Sequence, residues 1–127
     1  FIALVSYQGP VPDGFASQPG PDPAMFGLPA PDDGSRDDPL VGQNILTCNG
    51  YQHDFSALRT APARIVVGVG AETGEAMVAR AARAVAERLG TAPVTFPGGH
   101  DGFVGGEYGG MGKPDEFAAT LREVLAS

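Results

Sequence analysis

The run that most limits the architectures open to this chain is Arg64-Ile65-Val66-Val67-Gly68-Val69-Gly70, β-branched and closed by glycines. It reads as a strand. A helical pattern follows and ends at Leu89, with Val78, Ala82, Val85 and Leu89 spaced to form one apolar face and Arg80, Arg83, Glu87 and Arg88 turned to solvent. Gly90 stands where a left-handed cap would end that helix. The β-type run Val94-Thr95-Phe96 comes next and stops at Pro97. Two strands joined by a helix cannot be a hairpin, so residues 64–96 predict a βαβ unit with parallel strands and a right-handed crossover. The fold class expected is α/β.

The flanking segments fit around that unit. After Pro97 a glycine-dense loop runs through residues 98–112, and Pro114 opens a last helix with Asp115 and Glu116 in its first turn, where the helix dipole favours acids. Phe117, Leu121, Val124 and Leu125 are its expected buried stripe. At the other end, residues 1–6 are mostly apolar and read as a strand buried on both faces. Residues 9–39 carry prolines at 10, 12, 19, 21, 23, 29, 31 and 39 and aspartates at 13, 22, 32, 33, 37 and 38, which precludes regular ladders. A disordered linker has that composition, and so does a loose excursion covering a pocket. Phe15, Met25, Phe26 and Leu28 supply the apolar anchors for the second. Both predict mobility over residues 31–38. A short helix is expected between Leu40 and Tyr51, and Asp54 is placed to cap a further helical turn. The division expected is a core strand over residues 1–8, a proline-rich cap over 9–51, and a βαβα core over 52–127.

Charge and composition exclude several functions. A net charge of −7 offers no basic patch to a phosphate backbone, so nucleic acid is not an expected partner. No apolar run approaches the roughly 20 residues that span a bilayer, and no membrane partner is expected. The single Cys48 allows no internal disulfide, which points to a reducing, cytoplasmic location; between Thr47 and Asn49 it has no activating cation and reads as a buried or half-buried thiol rather than a nucleophile. His53, His100 and Cys48 make no recognisable metal-ligand spacing, so no metal is expected. His53 reads as an exposed loop residue. Gly68-Val69-Gly70 with Gly74 misses the dinucleotide fingerprint by one position, and Gly112-Lys113-Pro114 lacks the serine or threonine of a phosphate loop. None of the serines, at 6, 17, 35, 56 and 127, lies in a G-x-S-x-G elbow.

What stands out chemically is His100, delivered into glycines at the end of the last strand: Phe96-Pro97-Gly98-Gly99-His100-Asp101-Gly102-Phe103. An imidazole titrates near neutrality, so one held at a strand end is placed to accept and return a proton. A satisfied strand-end histidine with no chemistry is the competing reading.

In order, these features resemble the C-terminal half of an α/β-hydrolase, of the small bacterial hydrolase type. That family runs strand, helix, last strand, histidine loop and final helix, and Phe96-Pro97-Gly98-Gly99-His100 and Phe117-Ala118-Ala119 with Leu121 are similar to it. Tyr7-Gln8-Gly9-Pro10 resembles the strand end where several members carry His-Glu-Pro-Pro.

The resemblance implies a serine-type hydrolase of an ester-like small molecule, with no cofactor. His100 would be the catalytic base, oriented by Glu72 or, second, Glu75; Asp101 is a poorer third. Phe15, Met25, Phe26 and Leu28 of the cap, with Phe103 and Tyr108 of the histidine loop, would line the substrate pocket. Two departures qualify it. The nucleophile elbow would lie N-terminal to Phe1, so the chain alone is expected to be inert and to associate with itself or with a nucleophile-bearing N-terminal half. Thr73 occupies the slot where the family often has aspartate, and Gln8 the slot where some relatives place an acid. These neutral residues favour the alternative, a non-catalytic binding or accessory domain of the same fold.

Overall fold

The computed structural model describes residues 4, 7–20, 22, 24, 34, 37, 39–106 and 111–127. In chain order its elements are a 3₁₀ turn at Phe15–Ser17, a π-type turn at Pro39–Asn44 running into α1 (Ile45–Gly50), α2 (Phe55–Thr60), β1 (Gly68–Gly70), α3 (Met77–Leu89), β2 (Val94–Phe96) and α4 (Pro114–Ala126). The protein is a small α/β structure built on a parallel strand pair.

β1 and β2 pair in the register Gly68 to Val94, Val69 to Thr95 and Gly70 to Phe96. The amides of Val94 and Ala71 extend the pairing at either end, donating to Val67 O and Phe96 O at 2.8 Å. The ladder is shorter than the run 64–70 suggests. Its partner is bounded by Pro93 and Pro97, neither of which has an N–H to carry the ladder further.

α3 crosses between the strands and ends at Gly90, whose φ is 76°. Its fully buried residues are Ala79 and Ala86, while Val78, Ala82, Val85 and Leu89 are half-buried. The buried face is therefore centred on alanines rather than on the larger residues expected there. α3 packs on β1, and the residues it buries are the small alanines. Arg80, expected in solvent, is half-buried and turns back over the start of the helix, donating to Gly9 O at 2.7 Å and to Glu75 O at 2.6 Å, while Arg83 is exposed as expected and donates to Gly74 O at 3.1 Å.

α4 starts at Pro114 with Asp115 and Glu116 in its first turn. Phe117 packs on Phe96 with ring centroids 4.7 Å apart. Leu121 and Leu125, expected to be buried, are 40% and 73% exposed, because the distal half of α4 borders an open groove. Arg64 bonds Val124 O and, at 3.1 Å, Ser127 Oγ, tying the end of α4 to the approach to β1.

Asp54 caps α2 as expected. Its Oδ1 accepts from the amides of Ser56 and Ala57 at 3.0 Å and from Ser56 Oγ at 2.6 Å, and these bonds hold the carboxyl below its usual range. Arg59 donates to Arg88 O at 2.7 Å, and the Arg88 guanidinium lies 5.1 Å from the Phe55 ring, so α2 is fastened to the end of α3. α1 fills part of the region read as helical between Leu40 and Tyr51. Among the described residues it packs only on the turn before it, so Cys48 is exposed rather than buried or half-buried. Of the opening run 1–6 only Leu4 is described; it is helical, with its carbonyl accepting from Tyr7 N at 3.3 Å, and the rest lies outside the described residues. No helix among the described residues is long and apolar enough to cross a membrane.

Candidate functional site

The fully buried apolar residues among those described are Ala76, Ala79, Ala86 and Phe96. Much of the remaining apolar surface lines a groove of about 570 Å³ instead. Its floor is β1, with Gly68, Val69 and Gly70. One wall is α3, with Val78, Ala79 and Ala82; the other is α4, with Phe117, Leu121, Val124 and Leu125. At the carboxyl end of the strands the wall is made by Thr73, Gly99, His100 and Phe103. Ligands of open α/β sheets bind at this end of the strands.

The loop that carries His100 is fixed by backbone bonds. Glu72 N donates to Gly98 O at 2.9 Å, Gly102 N to Gly99 O at 3.1 Å, Val104 N to Asp101 O at 2.8 Å, and Lys113 N to Gly102 O at 2.7 Å. The β1 exit, the histidine turn and the approach to α4 are thereby laced together. Gly70 makes this possible. A Cβ there would lie inside contact distance of the Gly99 carbonyl oxygen and 2.6 Å from both the Gly99 carbonyl carbon and Thr73 Oγ1. Gly98 reaches φ 84° and meets the Gly102 backbone across the turn.

His100 is exposed on the groove wall, and its side chain makes no hydrogen bond among the described residues. Phe103 also lines the groove, 60% exposed, with its ring edge against Phe117 at 5.8 Å. The two candidate acids are not beside them. Glu72 is exposed and paired with Lys113, whose ammonium is held above its usual range first by that hydrogen bond and then by the charge. Glu75 is exposed and paired with Arg83 at 3.0 Å. Neither lines the groove, and Asp101 is exposed outside it. Both glutamates belong to the turn between β1 and α3, where cations reach back to them from α3 and the residue before α4.

Phe15 is half-buried away from the groove, its ring edge-on to Tyr7 at 5.1 Å. Met25, Phe26, Leu28 and Tyr108 lie outside the described residues. His53 is exposed, stacked edge-on between Tyr51 and Phe55. No group of three His, Cys, Asp or Glu side chains among the described residues is arranged to hold a metal ion.

Two residues gain roles from the structure that their types did not suggest. The Gln8 side chain clamps the turn before α3: its Nε2 donates to Thr73 O at 3.2 Å and its Oε1 accepts from Glu75 N at 2.8 Å. Gly9 N adds a bond to Glu75 O at 3.1 Å. Thr73 is 7% exposed, and its hydroxyl has no partner among the described residues. The signal available in sequence was the spacing Gly70-x-x-Thr73, which places a hydroxyl over a residue without a side chain.

No protein-family model matches the chain, and neither a curated protein nor a solved structure matches it significantly.

Proposed function

We propose that the chain is the C-terminal portion of a serine-type α/β-hydrolase acting on a small ester-like substrate, with His100 as its proton relay. The two strands would be the end of a larger, mainly parallel sheet, and residues 9–51 its cap. One observation carries the reading: His100 leaves the carboxyl end of β2 and, with Phe103, borders an apolar groove whose volume suits a small molecule. The element order strand, helix, strand, histidine turn, helix agrees with it. In such a reaction a serine hydroxyl attacks the ester carbonyl, His100 takes the serine proton and returns it to the departing alcohol, and water then releases the acid by the same relay. The reading requires a serine from outside these 127 residues. A single, unpaired cysteine accords with a cytoplasmic location.

The second reading, a binding or accessory domain without catalysis, is favoured by the placement of Glu72 and Glu75 in ion pairs outside the groove. One experiment separates the two. The protein is isolated from its natural source, its denatured mass is compared with the 13.0 kDa of these residues, and it is treated with a fluorophosphonate serine probe. A larger chain, or a tightly bound second chain, that takes the probe and loses p-nitrophenyl ester hydrolysis on His100→Ala supports the hydrolase. A 13.0 kDa protein without such a partner that takes no probe refutes it and leaves the binding role.

A further inference from the structure

We propose that the Thr73 hydroxyl is the positioning group for His100, accepting a hydrogen bond from its imidazole Nδ1–H and so presenting Nε2 as the free base. The inference rests on the proton-relay reading of His100 but concerns a separate property, the tautomer of the ring.

Among the described residues no carboxylate competes for this role on the groove wall, since Glu72, Glu75 and Asp101 all lie outside it. Thr73 and His100 share that wall, at the carboxyl end of β1 and β2. Thr73 Oγ1 and the carbonyl carbon of Gly99, the residue before His100, are both 2.6 Å from the point where a Cβ on Gly70 would sit, so the two atoms lie within about 5 Å of each other. The His100 nitrogen is bonded to that carbon, so the imidazole is tethered close to Thr73, and rotation about its own side-chain bonds is the movement that would bring Nδ1 to the hydroxyl.

Thr73 is rigid where it matters. Its amide donates to Gly70 O at 3.1 Å, and its carbonyl accepts from Ala76 N at 3.3 Å and from Gln8 Nε2 at 3.2 Å. A β-branched side chain on so fixed a backbone has few rotamers open to it. Native proteins rarely leave a buried hydroxyl without a partner, and here the unpartnered one shares a groove wall with an imidazole that likewise makes no hydrogen bond among the described residues. A threonine hydroxyl has lone pairs free to accept from an imidazole N–H. Such an arrangement selects a tautomer without supplying the charge a carboxylate would.

The tautomer is readable without turnover, from long-range proton–nitrogen correlation spectra of the labelled 127-residue protein above neutral pH, with His53 as internal reference. Wild type should show His100 mainly as the Nδ1–H form. That population should fall at least twofold in Thr73→Val and recover in Thr73→Ser, with His53 unchanged. A wild-type His100 mainly in the Nε2–H form overturns the proposal, whatever the variants do. An unchanged ratio in folded Thr73→Val, or in Thr73→Ala should valine disturb the fold, also overturns it. None of these results bears on whether a serine probe labels the natural protein, so the two readings fail independently.

Discussion

Gly70→Ala tests how the site is built. The added methyl would stand 2.6 Å from the Gly99 carbonyl carbon and from Thr73 Oγ1, and closer still to the carbonyl oxygen, where ordinary contact begins at 3.4 Å. Backbone and a buried hydroxyl face it, so the strand and the histidine turn must part by about 1 Å. Overpacking of that kind costs about 1–3 kcal/mol. The separation also stretches the bonds that hold the turn to β1, Ala71 N to Phe96 O and Glu72 N to Gly98 O, worth about 1 kcal/mol each. Restricting the unfolded chain with alanine returns about 0.4–1 kcal/mol. The net loss expected is about 2–3 kcal/mol, or roughly 10 °C in melting temperature for a domain of this size. Urea and thermal unfolding measure it, and the amide resonances of Gly99, His100 and Gly102 should move most. Gly50→Ala is the control: no atom lies within 4 Å of a Cβ there, and the change should stay within about 0.5 kcal/mol. A Gly70→Ala protein as stable as wild type, with Gly99 and His100 amides unmoved, would refute the packing described for the site.

Two further outcomes can be measured on the same protein. Gln8→Ala removes both side-chain bonds that clamp the turn before α3 and should destabilise by about 1–3 kcal/mol in urea, with the largest amide shifts at Thr73 and Glu75. A loss below about 0.5 kcal/mol would mean that the clamp does not hold in solution. Asp54 titrates below its ordinary 3.8 when folded, first because Ser56 Oγ bonds its carboxylate and then because the Ala57 amide does. Its contribution is therefore complete above pH 3.8 and is lost as the pH falls through the lowered folded value. The Ser56 and Ala57 amides should show that loss in an acid titration. Asp54→Asn should abolish the pH dependence while keeping the cap; amides that titrate identically in both proteins would remove Asp54 as its source.

Local chemistry made much of the frame readable in advance. Asp54 caps α2, Gly90 ends α3, Pro114 begins α4, and 64–70 and 94–96 supply strands, because each signal acts within a turn or two of chain and survives any tertiary context. The length of β1 was less readable, since it is set by the prolines that bound its partner strand. The buried face of α3 differs from the expected one for a related reason: residue size in the helix was visible, but the rotation of the helix on the sheet, which puts Ala79 and Ala86 inside, is set by tertiary packing.

For the site, sequence by itself determined that a histidine follows the last strand among glycines, and that acids follow the first. Only tertiary structure decided that His100 borders a groove while Glu72 and Glu75 are drawn aside. Lys113, 41 positions further on, captures Glu72; Arg83, two helical turns along α3, captures Glu75. Charges find partners by distance in space, which spacing in the chain does not encode. The same holds for Thr73, whose type forecast a neutral residue in an acid's place. Only its burial over Gly70 in the folded chain leaves its hydroxyl without a partner among the described residues.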